Sequence, residues 1–454
     1  MNQVHDFFSL INQYLWGWPM IILLLGTHIF LTLLLKFPQR KIFKAIRLSF
    51  KKDDSEGDVS QFGALATALA ATIGTGNIVG VATAISLGGP GAVLWCWLTG
   101  VFGIATKYSE GLLAVKYRYK TSDGTMLGGP MVALEKGLNM KWLGILFAIF
   151  TVLASFGIGC TVQANSISML MMDSFHFPLL ITGIVLSVLT AAVIFFGVKG
   201  IAKICQMLVP FMALFYILGC LIILIVNSTY VDDAIVLIFK SAFNPSAAGG
   251  GFVGASIMMA ARYGIARGLF SNESGMGSAP IIAAAAKTRN PVRQALVSST
   301  GTFWDTVVVC AITGIVLVTS IIAYPDINYS DGSMLTSVAF AKLPYVGTFI
   351  LVVGLFTFAF STILGWSYYG ERALEYLGGK KTIPYYRILW VIAVFIGSII
   401  NVSLIWQISD TMNALMAIPN LISLILLSGV IYRETRKYLW NGNLDESIQE
   451  FDKQ

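Results

Sequence analysis

Charged residues are scarce in this chain, since aspartate, glutamate, lysine and arginine together make up 12% of its 454 residues. A soluble domain carries about 25% of such residues. Hydrophobic residues account for 56% of the chain, and apolar runs long enough to cross a bilayer recur along nearly its whole length. These features exclude a soluble globular domain and predict an all-α integral membrane protein.

Histidine and cysteine are also rare, which removes several classes of site. The three histidines are scattered and there is no Walker A motif, so no catalytic constellation is evident and ATP-driven chemistry is disfavoured. We therefore expect no enzyme activity. The five cysteines lie inside apolar segments without metal-ligand spacing, which is typical of small buried hydrophobic residues. The net charge of +7 comes from short loops between apolar runs, so it does not indicate a nucleic-acid partner.

The apolar runs predict about eleven transmembrane helices. The first lacks a basic leader region and a small-residue cleavage site, so we expect it to be retained. Lysine and arginine concentrate in alternate loops, which predicts an N-terminus outside and a C-terminus in the cytoplasm. The predicted spans are 16–37, 60–87, 90–116, 141–172, 178–197, 204–226, 252–287, 293–323, 343–372, 384–401 and 405–432.

Ten of these spans divide into two sets of five, 60–226 and 227–432. An odd number of spans in each set makes them enter the membrane from opposite sides, which is a 5+5 inverted repeat. The first helix with its basic linker, 1–59, and a cytoplasmic tail, 433–454, flank the repeats. Each repeat begins with a helix interrupted by glycines, at 74–80 and at 271–277. Paired interruptions of this kind indicate the binding site of a secondary transporter.

The first interruption, Gly-Thr-Gly-Asn-Ile-Val-Gly at 74–80, frees backbone groups inside the bilayer. The N–H groups of Thr75, Gly76 and Asn77 begin a half-helix, whose partial positive charge suits a carboxylate. The carbonyls near Ala70 to Ile73 end the preceding half-helix and suit a hard cation such as Na⁺. Close helix packing through the glycines is the alternative interpretation.

The second interruption contains Glu273, an acid at membrane depth. It could bind a substrate amine or a proton, or it could hold loose backbone N–H groups. We favour the structural role, with Arg267 as a partner. Arg262 and Asp305 also lie within apolar spans, and the sequence assigns them no role.

Two further spans carry polar residues at helical spacing. In the fourth span, Ser155, Gly159, Gln163 and Ser166 are predicted to share one face; the serines and glycine suit packing, and Gln163 suits a binding site. In the ninth span, Ser361 and Thr362 could bind a small cation or donate to the carbonyl one turn earlier. Trp366 follows one turn later and could close a small side-chain pocket, although a tryptophan of the interfacial belt is the alternative.

Several motifs resemble the alanine or glycine:cation symporter family, also called the sodium:alanine symporters, within the amino acid-polyamine-cation superfamily. They lie at 74–80, 88–92, 105–110 and 267–280, and the resemblance extends over nearly the whole chain. The chain has Ser109 and Ser274 where the family pattern has alanine.

The resemblance implies a leucine-transporter-type fold that works by alternating access. By that likeness, the carbonyls of Ala70 and Ile73 and the hydroxyls of Ser361 and Thr362 bind the coupling ion Na⁺. Asn77 would order the turn or serve a further ion site. The implied substrate-binding residues are Thr75, Gly76, Asn77, Gln163, Ser271, Gly275, Met276 and Trp366.

The implied function is Na⁺-coupled uptake of alanine or glycine across a bacterial-type inner membrane. The expected partners are the amino acid, Na⁺ and the lipid bilayer, and we expect the protein to function as a monomer. A proton-coupled symporter using Glu273, a passive channel and a membrane sensor are the alternatives. The absence of a sizeable soluble domain weighs against the sensor.

Overall fold

The computed structural model describes residues 2–244 and 257–447 and is almost entirely helical. The first half contains α1 Asn2–Leu15, α2 Trp18–Leu34, α3 Ile42–Ser49, α4 Gln61–Thr72, α5 Val79–Gly88, α6 Ala92–Tyr117, α7 Pro130–Leu138, α8 Lys141–Ala154, α9 Val162–Phe175, α10 Leu179–Ile194, α11 Gly197–Val226 and α12 Val231–Phe243. The second contains α13 Ile257–Asn272, α14 Pro280–Ala283, α15 Pro291–Thr302, α16 Ala311–Ala323, α17 Gly332–Ala341, α18 Val346–Gly378, α19 Ile383–Ile399, α20 Ser403–Leu426 and α21 Ser428–Thr435.

Shorter elements complete the fold. A small antiparallel pair joins β1 Tyr119–Lys120 to β2 Met126–Leu127. Wider π-helical turns connect α8 to α9 at Ser155–Thr161 and α15 to α16 at Phe303–Cys310, and others follow α21 at Arg436–Trp440. Single 3₁₀ turns lie at Pro38–Lys41, Thr75–Asn77, Ser228–Tyr230 and Lys380–Thr382.

In the described ranges, seven helical stretches are long and apolar enough to cross a membrane, and the bent pair α4–α5 adds an eighth. The other three predicted spans correspond to α6, which carries charged residues, to the shorter α10, and to α13–α14. Residues 252–256 of the seventh predicted span lie outside the described residues. The chain is thus an all-α multi-pass membrane protein, as predicted.

Some boundaries differ from the hydropathy prediction. A helix already forms at Asn2, and the break at Trp16 separates it from α2. Helix α11 begins at Gly197, seven residues before the predicted start, and α20 ends at Leu426, so the last predicted span contains two helices. The short helices α3, α7, α12 and α17 were not predicted, because hydropathy over span-length windows does not detect helices of 8 to 13 residues.

The face of the bundle that carries the C-terminal residues is closed by backbone hydrogen bonds. The segment before α4 pairs with the segment after α14, since the amide of Asp58 donates to the carbonyl of Ala285 at 2.8 Å. The guanidinium of Arg118 donates to the carbonyls of Ala286 at 2.6 Å and Glu56 at 2.9 Å. The N-terminal end of α4 and the C-terminal end of α14 are therefore joined on this face.

The C-terminal residues reinforce this closure through α15. The Asn290 side chain donates to the carbonyl of Leu444 at 2.9 Å. The fully buried Arg293 lies 2.6 Å from Asp445 and 3.4 Å from Asp53, whose side chain is also buried. One buried guanidinium thus connects the linker before α4, the start of α15 and the tail.

Arg293→Ala and Asp445→Ala should differ strongly in their effect on unfolding. Removing Arg293 leaves the buried Asp53 with only the more distant and half-exposed Arg289, 3.7 Å away, which should cost about 3 kcal/mol. Asp445 is mostly exposed, so its loss should cost about 0.2–1 kcal/mol. Thermal unfolding in detergent would measure both, and equal effects would contradict this view of the cluster.

The pH dependence of the same pair has a defined sign. The hydrogen bond from Arg293 lowers the pKa of Asp445 below its ordinary value of 3.8. A carboxylate with a lowered pKa contributes stability above its ordinary pKa and loses it as the pH falls through the lowered value. The stability difference between wild type and Asp445→Ala should therefore be constant near neutral pH and shrink only in strong acid.

Candidate functional site

The first interrupted helix bends by 64° between α4 and α5. The Gly74 amide donates to the side-chain oxygen of Asn77 at 3.0 Å, which closes the 3₁₀ turn Thr75–Asn77. Among the described residues, no acceptor takes the amide hydrogens of Thr75 or Gly76. Two donors at the start of a half-helix, on the buried Thr75 and the partly buried Gly76, are therefore free to bind an anionic group.

Side chains from two other helices close around this turn. A Cβ atom on Gly74 would lie 2.7 Å from the Thr362 hydroxyl of α18 and 3.7 Å from the Gln163 side-chain oxygen of α9. The first distance is shorter than real Cβ contacts allow, so only glycine fits there. The tight approach of Thr362 explains why a glycine is needed at the turn, beyond its effect on helix propensity.

Four oxygen atoms gather where α4 ends against α18. The Ser361 hydroxyl lies 3.1 Å from the Ala70 carbonyl, and the Thr362 hydroxyl lies 3.2 Å from the same carbonyl and 3.4 Å from that of Ile73. Both hydroxyls also donate to the carbonyl of Phe358 in their own helix. Bonding within the helix is thus observed, and it leaves the hydroxyl oxygens beside the carbonyls, so cation binding stays a prediction.

This set of neutral oxygens suits a hard monovalent cation. Within the described residues, no group of three or more histidines, cysteines or acids is arranged to hold a metal ion. The five cysteines are buried and unpaired, in agreement with the sequence interpretation. The oxygen cluster of α4 and α18 is therefore the candidate ion site, and its role remains a prediction.

Asp305 connects the two interrupted helices. Its carboxylate is fully buried on the π-helical segment after α15. It accepts hydrogen bonds from the Asn77 amide at 2.7 Å, the Ser271 hydroxyl at 3.0 Å and the Thr306 hydroxyl at 2.6 Å. The sequence left Asp305 without a role; its position explains how Asn77 and Ser271 come together.

Gln163 reaches the first interruption from α9. Its side-chain nitrogen donates to the Ile158 carbonyl at 3.0 Å and lies 3.4 Å from the Thr75 hydroxyl. Its oxygen is buried and has no hydrogen-bond partner among the described residues. An unused buried acceptor beside free amide donors can bind the ammonium group of a zwitterion.

The π-helical segment Ser155–Thr161 and the start of α9 pack against one face of α18. The Ser155 hydroxyl packs against Gly370, and Gly159 packs directly against Trp366, one turn earlier on α18. Ser155, Gly159 and Gln163 therefore line the same helix, as their spacing predicted. The Ser166 hydroxyl donates to the Val162 carbonyl of its own helix at 2.9 Å.

Glu273 lies at the second interruption, where its backbone has a positive φ of 51°. Its carboxylate accepts hydrogen bonds from the indole nitrogen of Trp366 at 3.2 Å and from the Ser278 hydroxyl. Within the described ranges it forms no ion pair with Arg267, so the predicted pairing is wrong. Arg267 instead lines a cavity that also contains Asp410.

Glu110 on α6 performs the backbone role that was expected of Glu273. One of its oxygens accepts the amide hydrogens of Gly275 at 2.9 Å and Gly277 at 3.1 Å. The same oxygen accepts from Asn420 at 2.7 Å, and the buried Lys107 lies one turn earlier on α6. In the sequence, Glu110 lies within the motif at 105–110 and was given no role, although an acid in an apolar span indicates a functional or structural site.

The other predicted residues of the second interruption lie apart from the first. A Cβ on Gly275 would meet Leu24 at 2.7 Å and Leu421 at 3.2 Å, and its amide is already bound by Glu110. The structure therefore does not bring Gly275 to the free amides of Thr75 and Gly76. Met276 is fully buried, and its contribution to a side-chain pocket stays a prediction.

The chain matches the model of the sodium:alanine symporter family over residues 1–453. It is 53% identical over 445 residues to the sodium/alanine symporter AgcS of Methanococcus maripaludis, which covers 95% of this chain and 97% of that protein. The probable sodium/glutamine symporter GlnT of Bacillus subtilis is 37% identical over 436 residues, covering 94% and 89%.

A solved structure has the same fold. The crystal structure of MhsT in complex with L-phenylalanine superimposes with a TM-score of 0.59 at 15% identity, covering 82% of this chain and 90% of that one. The predicted leucine-transporter-type architecture is confirmed.

Glu110→Gln should destabilise the protein by about 1.5–3 kcal/mol, because a neutral amide oxygen replaces the carboxylate that accepts three hydrogen bonds. Ser109→Ala is the matched control, since the Ser109 hydroxyl only donates to the Ala105 carbonyl of its own helix, and it should stay within about 0.5 kcal/mol of wild type. Thermal unfolding measures both. Equal stability of the two variants would refute the bracing role of Glu110.

Proposed function

Because the chain belongs to the sodium:alanine symporter family, we propose that it couples the entry of a small neutral amino acid to the entry of Na⁺. The observation that carries this proposal is the first interruption, where two free backbone amides stand beside a cluster of hydroxyl and carbonyl oxygens. One turn of chain thus offers donors for a carboxylate and acceptors for a cation.

In the proposed mode of binding, the amides of Thr75 and Gly76 hold the substrate carboxylate. The free side-chain oxygen of Gln163 faces the ammonium group. Trp366 is fully buried against Gly159, which supports a pocket for a short side chain such as that of alanine or glycine. The name of GlnT makes a larger neutral side chain the alternative substrate.

Na⁺ is assigned to the carbonyls of Ala70 and Ile73 and the hydroxyls of Ser361 and Thr362. These carbonyls lie within a few residues of the free amides. An ion that orders this segment also orders the amides, so each ligand should raise the affinity for the other. One Na⁺ moving down about 100 mV gains about 2.3 kcal/mol, and a tenfold gradient adds about 1.4 kcal/mol. This is enough for accumulation on the order of several hundred-fold.

The charge of the loops supports the orientation we propose, with the C-terminal face in the cytoplasm and α1 outside. The hydrogen bonds of Arg118 and the cluster around Arg293 would then close the cytoplasmic ends of the interrupted helices. In alternating access these contacts separate when the site opens inward.

Glu273 supports a second candidate, a proton-coupled symporter of the same fold, since its buried carboxylate bonds to Trp366 beside the proposed pocket. Uptake of labelled alanine into liposomes tests both, with an inward Na⁺ gradient and again with K⁺ replacing Na⁺. We expect concentrative uptake only with Na⁺. Uptake driven by a proton gradient alone would overturn Na⁺ coupling, and equilibration without accumulation would indicate a channel.

Thr362→Ala should weaken the apparent Na⁺ affinity of uptake about tenfold, because it removes one of four oxygens from the ion site. Ser367→Ala is the control: it is buried on the same helix, but its hydroxyl donates only to the Leu364 carbonyl. Initial uptake rates against Na⁺ concentration would measure both variants. An unchanged Na⁺ dependence in Thr362→Ala would remove this ion site from the proposal.

Trp366→Ala should chiefly change which side chains fit, so that valine or leucine competes with alanine about tenfold better than in wild type. Trp366→Phe keeps an aromatic ring and loses the bond to Glu273, and it should retain the preference for small substrates. Trp142→Ala, at an exposed position, is the surface control. Competition profiles that are identical in all three variants would place the side-chain pocket elsewhere.

A further inference from the structure

A cavity of 270 Å³ lies on the face of the bundle opposite the C-terminal tail. Its walls come from α1 and the residue after it, from the middle and last turns of α13 and from the start of α20. The residues used below line it: Asn12, Trp16, Arg262, Arg267, Phe270 and Asp410. This volume is ample for one amino acid.

Hydrogen bonds join α1 and Trp16 to α20, so this wall of the cavity is fixed. The cavity is called the chamber below. The Asn12 side chain donates to the carbonyl and to the side-chain oxygen of Gln407, both at 2.8 Å. It also accepts a hydrogen bond from Thr411 at 2.8 Å, while the Trp16 indole donates to the Asp410 carbonyl at 3.2 Å. Four hydrogen bonds thus hold this wall in place.

The charges that line the chamber are not paired with each other. Arg262 and Arg267 project from α13, and Asp410 projects from α20 on another wall. Within residues 2–244 and 257–447, none of the three forms an ion pair. One carboxylate oxygen of Asp410 is buried and has no hydrogen-bond partner in the same ranges. Such a buried acceptor is costly to leave unsatisfied.

A molecule with a carboxylate and an ammonium group would satisfy both kinds of residue at once. A guanidinium binds a carboxylate with two parallel hydrogen bonds, and Asp410 would accept from the ammonium. The rings of Trp16 and Phe270, 6.2 Å apart and edge to face, form an apolar wall for a short side chain.

The chamber adjoins the first interruption. A Cβ atom on Gly76 would lie 3.5 Å from the Phe270 ring, so this single ring separates the chamber from the free amides. We propose that the chamber is a second binding site, for the zwitterion of a small neutral amino acid, with Arg267 and Arg262 binding the carboxylate and Asp410 the ammonium. The identity of the ligand rests on the proposed function.

The test is the number of labelled alanine molecules that bind to the purified full-length protein in nanodiscs with saturating Na⁺. We expect two in wild type. Asp410→Asn and Arg267→Gln should each retain one, because the affinity of the chamber should fall about tenfold or more. Asp233→Asn, an exposed acid on α12, is the control and should still bind two.

The two proposals fail in distinguishable ways. One alanine in wild type that is retained in both Asp410→Asn and Arg267→Gln would overturn the second site and leave the proposed function intact. No bound alanine in wild type, together with no uptake, would overturn both.

Competition separates a zwitterion site from a simple anion site. Propionate lacks the ammonium group and ethylamine lacks the carboxylate, so neither should displace the alanine that is lost in Asp410→Asn. Displacement by propionate equal to that by unlabelled alanine would overturn the assignment of Asp410 and indicate an anion site. Thermal unfolding of both variants checks that α1 is still docked.

Discussion

Backbone groups in hydrocarbon must find partners, and this requirement governs the centre of the protein. Two buried carboxylates help to meet it at the interrupted helices: Glu110 accepts backbone amides directly, and Asp305 holds Asn77, whose side-chain oxygen accepts the Gly74 amide. Glu110 binds the amides of Gly275 and Gly277, and Asp305 joins Asn77 to Ser271. The interruptions can persist inside the bundle because these acids hold them.

Several backbone groups of the first interruption are not bound by either carboxylate. The amides of Thr75 and Gly76 receive no acceptor from the described residues, and the carbonyls of Ala70 and Ile73 lie beside hydroxyls of α18. A substrate carboxylate and a cation would complete those groups. Binding and the stability of the turn are then linked, which is the physical basis for the proposed coupling.

Much of the fold could be predicted from hydropathy and glycine spacing. Each transmembrane helix requires an apolar run of about the same length, wherever it lies in the chain. The local sequence is therefore enough to detect it. The first interruption and the cluster of Ser361 and Thr362 with Ala70 and Ile73 were also anticipated, the latter through family resemblance. The π-helical turns at Ser155–Thr161 were not anticipated, because nothing in the local pattern marked them.

Local composition was therefore enough to locate the apolar helices, the breaks and the residue types available at the breaks. Which acid accepts hydrogen bonds at which interruption became clear only from the packing of the helices. Glu110 and Gly275 are 165 residues apart, and Glu273 bonds to Trp366 although Arg267 is nearer in sequence. Partner choice among buried polar groups depends on the distances that packing creates between helices, and no local pattern encodes those distances.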